Sequence, residues 1–419
     1  MRSKLRFLYR RLGEQLWIRP LMFCLLAVLA AFAAAMADRL DVHDLFPKME
    51  HDTVEKLLSI IAASMLGVAT FAVGSMVSAY ASVSNSATPR AFTLVISDDV
   101  SKTALSTFIA AFIFSVIALV AIKTGFYGRT GLFIVFAQTI FVLGWVVFVF
   151  IRWVDQIARL GRLGTTIDRV EKAAEAAIVW RRLAPHLGAM PAVHNDDLGE
   201  PIFTDQVGYV QHINIEALQS CAKKYDCVLT VAAMPGAFMA PGRAVAFARM
   251  KTKTTQIDRP AVVKAFTVGH DRTYEEDPRF GLIALSEIAG RALSPAVNDP
   301  GTAIDIIGTF VRLFALWVSP VEFDEEAGQY DQIYVPALTI DEMFDDAFTA
   351  IARDGAGSIE VVIRLQKAFL SLSATGHPDL IKAARKHSER ALARAKMALK
   401  LPEEVERVES LSKKIQTAI

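Results

Sequence analysis

At 419 residues, 53% hydrophobic and 21% charged, with a mean hydropathy of +0.35, the chain is too apolar to be one soluble globule and reads as a membrane section joined to a soluble one. The formal net charge of +1 says little by itself, and no nucleic-acid partner is expected. Cys24, Cys221 and Cys227 are odd in number, with no framework spacing and no neighbouring Cys or His pair. That argues against a disulfide scaffold and against a zinc site.

Basic residues gather at the start of the chain (Arg2, Lys4, Arg6, Arg10, Arg11, Arg19) against one acid, Glu14, which is a retention signal for the cytoplasmic side. Four apolar runs follow: 20–37, 57–80, 103–122 and 131–151. Each approaches the roughly 20 residues, at about 1.5 Å rise, that a bilayer core requires. The first run ends in Ala35-Met36-Ala37, a small-x-small pattern. It exceeds the roughly 7–15 residues of a signal-peptide core, so a retained helix is expected.

With the basic start inside, the acidic loop (Asp38, Asp41, Asp44, Glu50, Asp52, Glu55) lies outside, and Arg90 and Lys102 return inside. The turn from Lys123 to Thr130 is then outside, and Arg152, Arg159, Arg162 and Arg169 follow the last span on the inside. Both termini are therefore expected in the cytoplasm.

No Asp, Glu, Lys, Arg or His occupies a span centre, which disfavours an intramembrane proton pathway. Gln138 is polar near a span centre and is read as an interhelical hydrogen bond. In the second span Ala63, Gly67, Thr70, Gly74 and Ser78 fall on one arc of about 80°. Such a small-residue stripe is a packing seam, within the chain or between copies, or else a pore lining in an oligomer.

Residues 153–206 read as a helical stalk from Trp153 to about Leu183 and a linker with Pro185, Gly188, Pro191 and "HNDDLGEP" (His194 to Pro201). A mixed α/β domain rich in helices is expected over 207–400. It opens with strand, helix, strand, Gly/Pro turn and strand between Gly208 and Ala248. "GHDRTYEEDPRFG" (Gly269 to Gly281) reads as a solvated, turn-rich linker in which Asp277 caps a helix that has Pro278 at its first position. A metal site there would need converging oxygen ligands, and none is expected.

That helix should run to Leu293, supported by Glu287 and Arg291 one turn apart, and stop at Ser294-Pro295. Asn298-Asp299-Pro300 then supplies the cap of the next helix. Gly301 to Val318 is apolar enough to pass for a fifth span. Asp305 and Arg312 oppose that, at about 2.5–3.5 kcal/mol each in mid-bilayer, and make it the central helix of the soluble core.

Lys382 to Lys400, with Ile381, Leu392, Ala395 and Leu399 inward, carries a basic face read as solvated rather than lipid-bound. The tail from Pro402 (401–419) reads as a separate terminal helix.

P-loop, dinucleotide, nucleophile-elbow and zincin motifs are absent. No cofactor is expected. An enzyme is supported only by the charge density from Asp271 to Asp277.

Three stretches carry a resemblance: "SNSATPRAFTLVISDDVSKTALSTFIAAF" (Ser84 to Phe112), "PGAFMAPG" (Pro235 to Gly242) and "DRTYEEDPRFGLIALSEIAGRALSPAVNDPGTA" (Asp271 to Ala303). They resemble a family of predicted bacterial integral membrane proteins built around a domain of unknown function. The family pattern T-x-x-Q-D-P has Gln where this chain carries Glu276, so no fixed amide role follows there. The resemblance implies a bacterial inner-membrane location, a multi-span N-terminal half and a cytosolic C-terminal half, and supplies no reaction.

Two functions remain open. One is a homo-oligomeric channel or conductance regulator gated by the cytosolic domain, with a mouth at Ser84, Asn85, Ser86, Thr88 and Arg90; against it, Thr88-Pro89 simply caps the next helical piece. The other is a membrane-anchored sensor or scaffold that binds a small cytosolic ligand or a partner protein at Asp271, Arg272, Asp277, Arg279, Arg291, Asn298 and Asp299. A reporter fused after Ile419 should be active only on the cytoplasmic side, and periplasmic activity would overturn the topology.

Overall fold

The structure, a computed structural model, describes residues 18–37, 47, 49–96, 99–159, 162–192, 198–251, 257–320 and 330–417. The basic residues 2–11, the acids Asp38, Asp41 and Asp44, and Gly161 lie outside this set, as do residues 194–197 of the linker. The chain forms two compact units, one of Met1–Asn85 with Pro89–Thr166, the other of Ser86–Thr88 with Ile167–Ile419.

The first unit is helical. It contains α1 (Ile18–Ala37), α2 (His51–Ser86), a single 3-10 turn (Pro89–Ala91), α3 (Phe92–Ile96), α4 (Asp99–Lys123) and α5 (Arg129–Arg159). α2, α4 and α5 are long and apolar enough to cross a membrane, and α1 adds a shorter apolar stretch, Pro20–Met36. The helices overrun the apolar runs because their polar ends also favour helix. Lys102, expected in a loop, thus sits in the first turn of α4 and is buried.

Ala31 and Ala34 of α1 pack with Val54 and Leu58 of α2 and with Phe114 and Ala118 of α4. A second cluster joins Ile61, Met65, Ala69 and Ala72 of α2 to Phe108 of α4 and Trp153 of α5. Gln138 donates to the Ala30 carbonyl at 3.1 Å and Tyr127 to the Ala31 carbonyl at 3.1 Å, so α5 and its lead-in loop both tie down α1. Gln138 therefore makes the interhelical bond read from its position. Ser106 and Thr139 donate back to carbonyls four residues earlier, at 2.6 and 2.7 Å, which satisfies each hydroxyl where no water reaches it.

The second unit begins with α6 (Leu163–Leu183). The single stalk expected from Trp153 to Leu183 is not formed, because α5 stops at Arg159. α6 instead buries Val170, Ala174, Ala177 and Ile178 as part of the domain core. Next come β1 (Ala189–Pro191), β2 (Glu200–Phe203), β3 (Gly208–Ile213), α7 (Ile215–Tyr225), β4 (Cys227–Val231), β5 (Phe238–Met239), β6 (Ala244–Met250), α8 (Arg259–Val263) and β7 (Phe266–Gly269).

Helices α9 (Pro278–Ala292) and α10 (Pro300–Val318) precede β8 (Tyr330–Val335), and α11 (Ile340–Asp354), α12 (Ile359–Ser373), α13 (Pro378–Ala398) and α14 (Pro402–Thr417) close the chain. A mixed five-stranded sheet has the order β1-β8-β4-β6-β2, and an antiparallel three-stranded sheet the order β5-β3-β7. Asn214 caps α7 by accepting from the Ala217 amide, and Leu218 and Ala222 of that helix bury with Leu229 and Ile333 of the sheet.

α10 is also long and apolar enough to span a bilayer, yet it belongs to the second unit. Phe310 and Phe314 are fully buried and meet Phe348 and Phe344 of α11 with ring centres 5.3 and 4.5 Å apart. Arg312 donates twice to the Glu171 carboxylate of α6, at 2.7 Å each.

α13 turns its small residues inward. Ala383, Ala384, Ser388, Ala391 and Ala395 are buried, whereas Ile381, Leu392 and Leu399 are only half-buried. Its basic face is solvated, with Lys382, Arg390, Lys396 and, just past its end, Lys400 exposed, and it carries surface ion pairs. Lys386 pairs with Asp341 at 2.6 Å, Arg390 with Asp345 at 3.3 Å, and Lys396 with Glu409 of α14. α14 is not separate, since Val408, Ser412 and Ile415 are buried and Ser412 shares a 2.9 Å hydrogen bond with Ser388.

His387 on α13 lies between the rings of Phe344 and Phe369, with Asp345, Arg390, Lys386 and Asp341 around it. Burial drives its pKa down to about 4 from 6.5, Asp345 opposing. The imidazole is thus neutral in the fold, and the unfolded chain takes up the proton first as the medium acidifies. Stability is fully present above pH 6.5 and falls as pH drops toward 4, by about 3 kcal/mol at most. Thermal melting from pH 7 to 4.5 should show this loss, and His387→Leu should flatten it.

Candidate functional site

β3 alternates little because both its faces are covered, and its Gln211 and His212 point into the domain. They meet the charged stretch Gly269 to Gly281, which is not a solvated linker. Asp277 is 3% exposed and accepts from Arg272 Nε and Nη2, each at 2.7 Å. Its side chain makes no cap bond to α9 and is committed to Arg272. Arg272 in turn lies over the Phe280 ring, 5.4 Å from its centre. Burial pushes the Asp277 carboxyl above its usual range, while the Arg272 guanidinium holds it back.

The turn "PGAF" closes over this pair. Gly236 has φ +90, and a Cβ there would collide with the Asp277 carboxylate, so the position admits glycine alone. Beside it His212 Nδ1 and Glu276 Oε1 are 2.5 Å apart, and Gln211 donates to the Asp271 carbonyl at 2.7 Å. Arg181 arrives from α6, 2% exposed, and donates to the Glu276 carbonyl at 2.9 Å. Burial lowers its pKa, with Glu276 and Asp277 opposing. α6 passes close enough to α9 that a Cβ at Gly281 would collide with Ala174.

This cluster is a packed network. Its acids and guanidiniums are spent on one another, and among the described residues no group of three or more His, Cys, Asp or Glu is placed to hold a metal. Its physical effect is to fix the start of α9.

The residues expected to form one ligand site are divided. Asp271, Arg272 and Asp277 belong to the cluster, whereas Arg279 reaches α11, pairing with Asp346 at 2.5 Å and Glu342 at 3.1 Å. Asp299 caps α10, accepting from the Thr302 amide at 3.1 Å and hydroxyl at 2.6 Å, and Asn298 before it adopts φ +51. Arg291 serves a different contact.

That contact is at the far end of α9. Glu287 accepts from the Thr88 hydroxyl at 2.8 Å, and Arg291 donates to the Ala87 carbonyl at 3.2 Å. Ala87 is fully buried and Thr88 nearly so. The last residue of α2 and the two that follow it, Ser86–Thr88, group with the second unit. Of the expected polar mouth, Ser84 and Arg90 are exposed, Thr88 is tied to Glu287, and the side chains of Asn85 and Ser86 lie outside those described.

Ala63, Gly67, Thr70, Gly74 and Ser78 are all exposed. The seam within the chain uses Ile61, Met65, Ala69 and Ala72 instead, so the stripe is not intramolecular packing. A Cβ at Gly67 or Gly74 would meet nothing within 4 Å. Thr70 donates to the Leu66 carbonyl at 2.9 Å, which suits a hydroxyl on an apolar helix.

A family model described as "Predicted membrane protein (DUF2254)" matches residues 13–371. Uncharacterized proteins of Mycobacterium bovis and Mycobacterium tuberculosis are each 55% identical over 40 residues, 10% of this chain and 8% of the relative. The match thus spans under a tenth of the length of these relatives. No solved structure matches the chain.

Asp277→Ala would leave the Arg272 charge buried without its partner, and breaking such a pair costs about 3–5 kcal/mol. The melting temperature should fall more than for Arg279→Ala, whose side chain is about a third exposed. Adding Arg272→Met to Asp277→Ala should recover part of the loss. Equal losses for the two single variants would refute the buried-pair account.

Proposed function

The chain belongs to the DUF2254 family of predicted membrane proteins, and from that premise we propose a homo-oligomeric channel or conductance regulator of the bacterial inner membrane, with both termini cytoplasmic and its second unit acting as the gate. The observation that carries this reading is the outward face of α2, where Ala63, Gly67, Thr70, Gly74 and Ser78 remain exposed on a membrane helix whose opposite face is buried in its own bundle. In lipid, helices associate through van der Waals packing and hydrogen bonds, and small residues allow the closest backbone approach. The same face carries two hydroxyls where copies surround water.

A gate needs a mechanical connection. Within the second unit Glu287 and Arg291 of α9 hold Thr88 and Ala87, the two residues that follow α2 in the chain. A ligand or partner of the second unit shifts the assembly only as far as it distinguishes two positions of α9.

Gly67→Leu and Gly74→Leu give a direct test, because the protomer has nothing there to collide with. Both variants should fold and insert as the parent does and lose assembly in cross-linking and light scattering. Parent protein reconstituted in liposomes should pass ions, and the variants should not. Confirmed oligomers without flux for any common ion would retire conduction; monomeric parent protein would retire the assembly.

A further inference from the structure

Within the helical unit a crevice of about 330 Å³ opens between α1 and α4, inside the roughly 300–1,000 Å³ range of small-ligand sites. Ala31 and Phe32 form one wall and Val116 and Val120 the other, while Phe126 and Tyr127 line the end where α4 runs into its loop. Phe126 meets Phe32 edge-on, ring centres 6.3 Å apart, so the two rings bound that same end. Ala31 and Tyr127 are buried, whereas Phe32, Val116, Val120 and Phe126 are exposed. The crevice thus has a floor and an open side, and it lies along the seam that Ala31 and Ala34 make with Phe114 and Ala118.

Its lining decides what it admits. Among the described residues two hydroxyls reach it, and both are already spent: Thr124 donates to the Val120 carbonyl at 2.9 Å and Tyr127 to the Ala31 carbonyl at 3.1 Å. A buried water needs about two to four polar partners, and apolar cavities without them stay dry. The crevice therefore excludes water and takes hydrocarbon. α4 is long and apolar enough to cross a membrane, and α1 adds an apolar stretch beside it, so acyl chains are the hydrocarbon that reaches the open side. At the end of α4 the chain turns cationic. Lys123 precedes Thr124, and Arg129 lies two residues beyond Tyr127, both exposed. Lys123 pairs with Glu55 at 2.8 Å, which uses one of the three N–H donors of its ammonium. Basic residues at the ends of membrane helices attract anionic headgroups. We propose that the crevice binds one anionic phospholipid, with an acyl chain along Val120 and Val116 and its phosphate at Lys123 and Arg129.

Photolabelling of full-length protein in phosphatidylcholine nanodiscs tests this, with a diazirine on one acyl chain of added phosphatidylglycerol and the labelled peptides mapped. Labelling of residues 116–127 should saturate with phosphatidylglycerol and be several-fold weaker with the same diazirine on phosphatidylcholine. The exposed face of α1 at Met22 and Leu25 is the bulk-lipid reference. Val120→Trp fills the crevice from an exposed position and should lower labelling there several-fold without changing the reference. Val116→Trp should do the same and serves if the first variant folds poorly. Arg129→Gln should remove the preference between headgroups. Equal labelling by the two lipids, or at the two surfaces, overturns the proposal in favour of bulk lipid. Labelling of the reference without the crevice overturns it in favour of a protein cover, either residues 38–46 or a second copy.

Discussion

Polar groups shut away from water must find partners, and both units are arranged around that requirement. In the helical unit Ser106 and Thr139 turn their hydroxyls onto their own backbone, and Tyr127 and Gln138 reach across to α1. In the second unit the same requirement acts on full charges. Arg272, Asp277, Glu276, His212 and Arg181 are tolerable inside only because each answers another, and the geometry they demand positions α9. What reads as a collection of surface charges is therefore a constraint on where one helix begins.

How far this was legible in the sequence depended on whether the cue was local. The four apolar runs, the helix stop at Ser294-Pro295 and the Asx cap at Asp299 follow from short-range chemistry and appear where the letters place them. α10 was also readable, since Arg312 on an apolar helix demands a partner, and Glu171 supplies it. The end of the stalk is not legible, because an amphipathic helix looks the same whether its apolar stripe meets water-exposed chain or a domain core. Only Gly281 opposite Ala174, more than a hundred positions away, decides for the core. α13 is legible in part: Ala395 is buried and Leu392 and Leu399 pack against the same cluster, while the buried Leu380 and His387 lie outside the expected set.

The candidate site shows the same limit more sharply. Its acids and arginines were visible as a dense run, and density of charge suggested solvent. Nothing nearby in the chain reveals that Gln211 and His212 arrive from β3, Arg181 from α6 and the Gly236 turn from above. The glycine was the available signal, because "PGAF" offers a residue with no Cβ beside an otherwise ordinary turn. The stripe on α2 was legible as periodicity, while its outward direction was not.

The three residues that α2 sends into the second unit have a consequence for biogenesis. Thr88 and Glu287 are 199 positions apart, and Ala87 and Arg291 204. At about 5–20 residues per second, roughly 10–40 s of synthesis separate the emergence of one partner from the other. Through that interval the segment after the second hydrophobic helix waits without these two partners. The insertion machinery therefore handles a half-finished membrane protein in which Ala87 and Thr88 still lack the partners that Arg291 and Glu287 later provide.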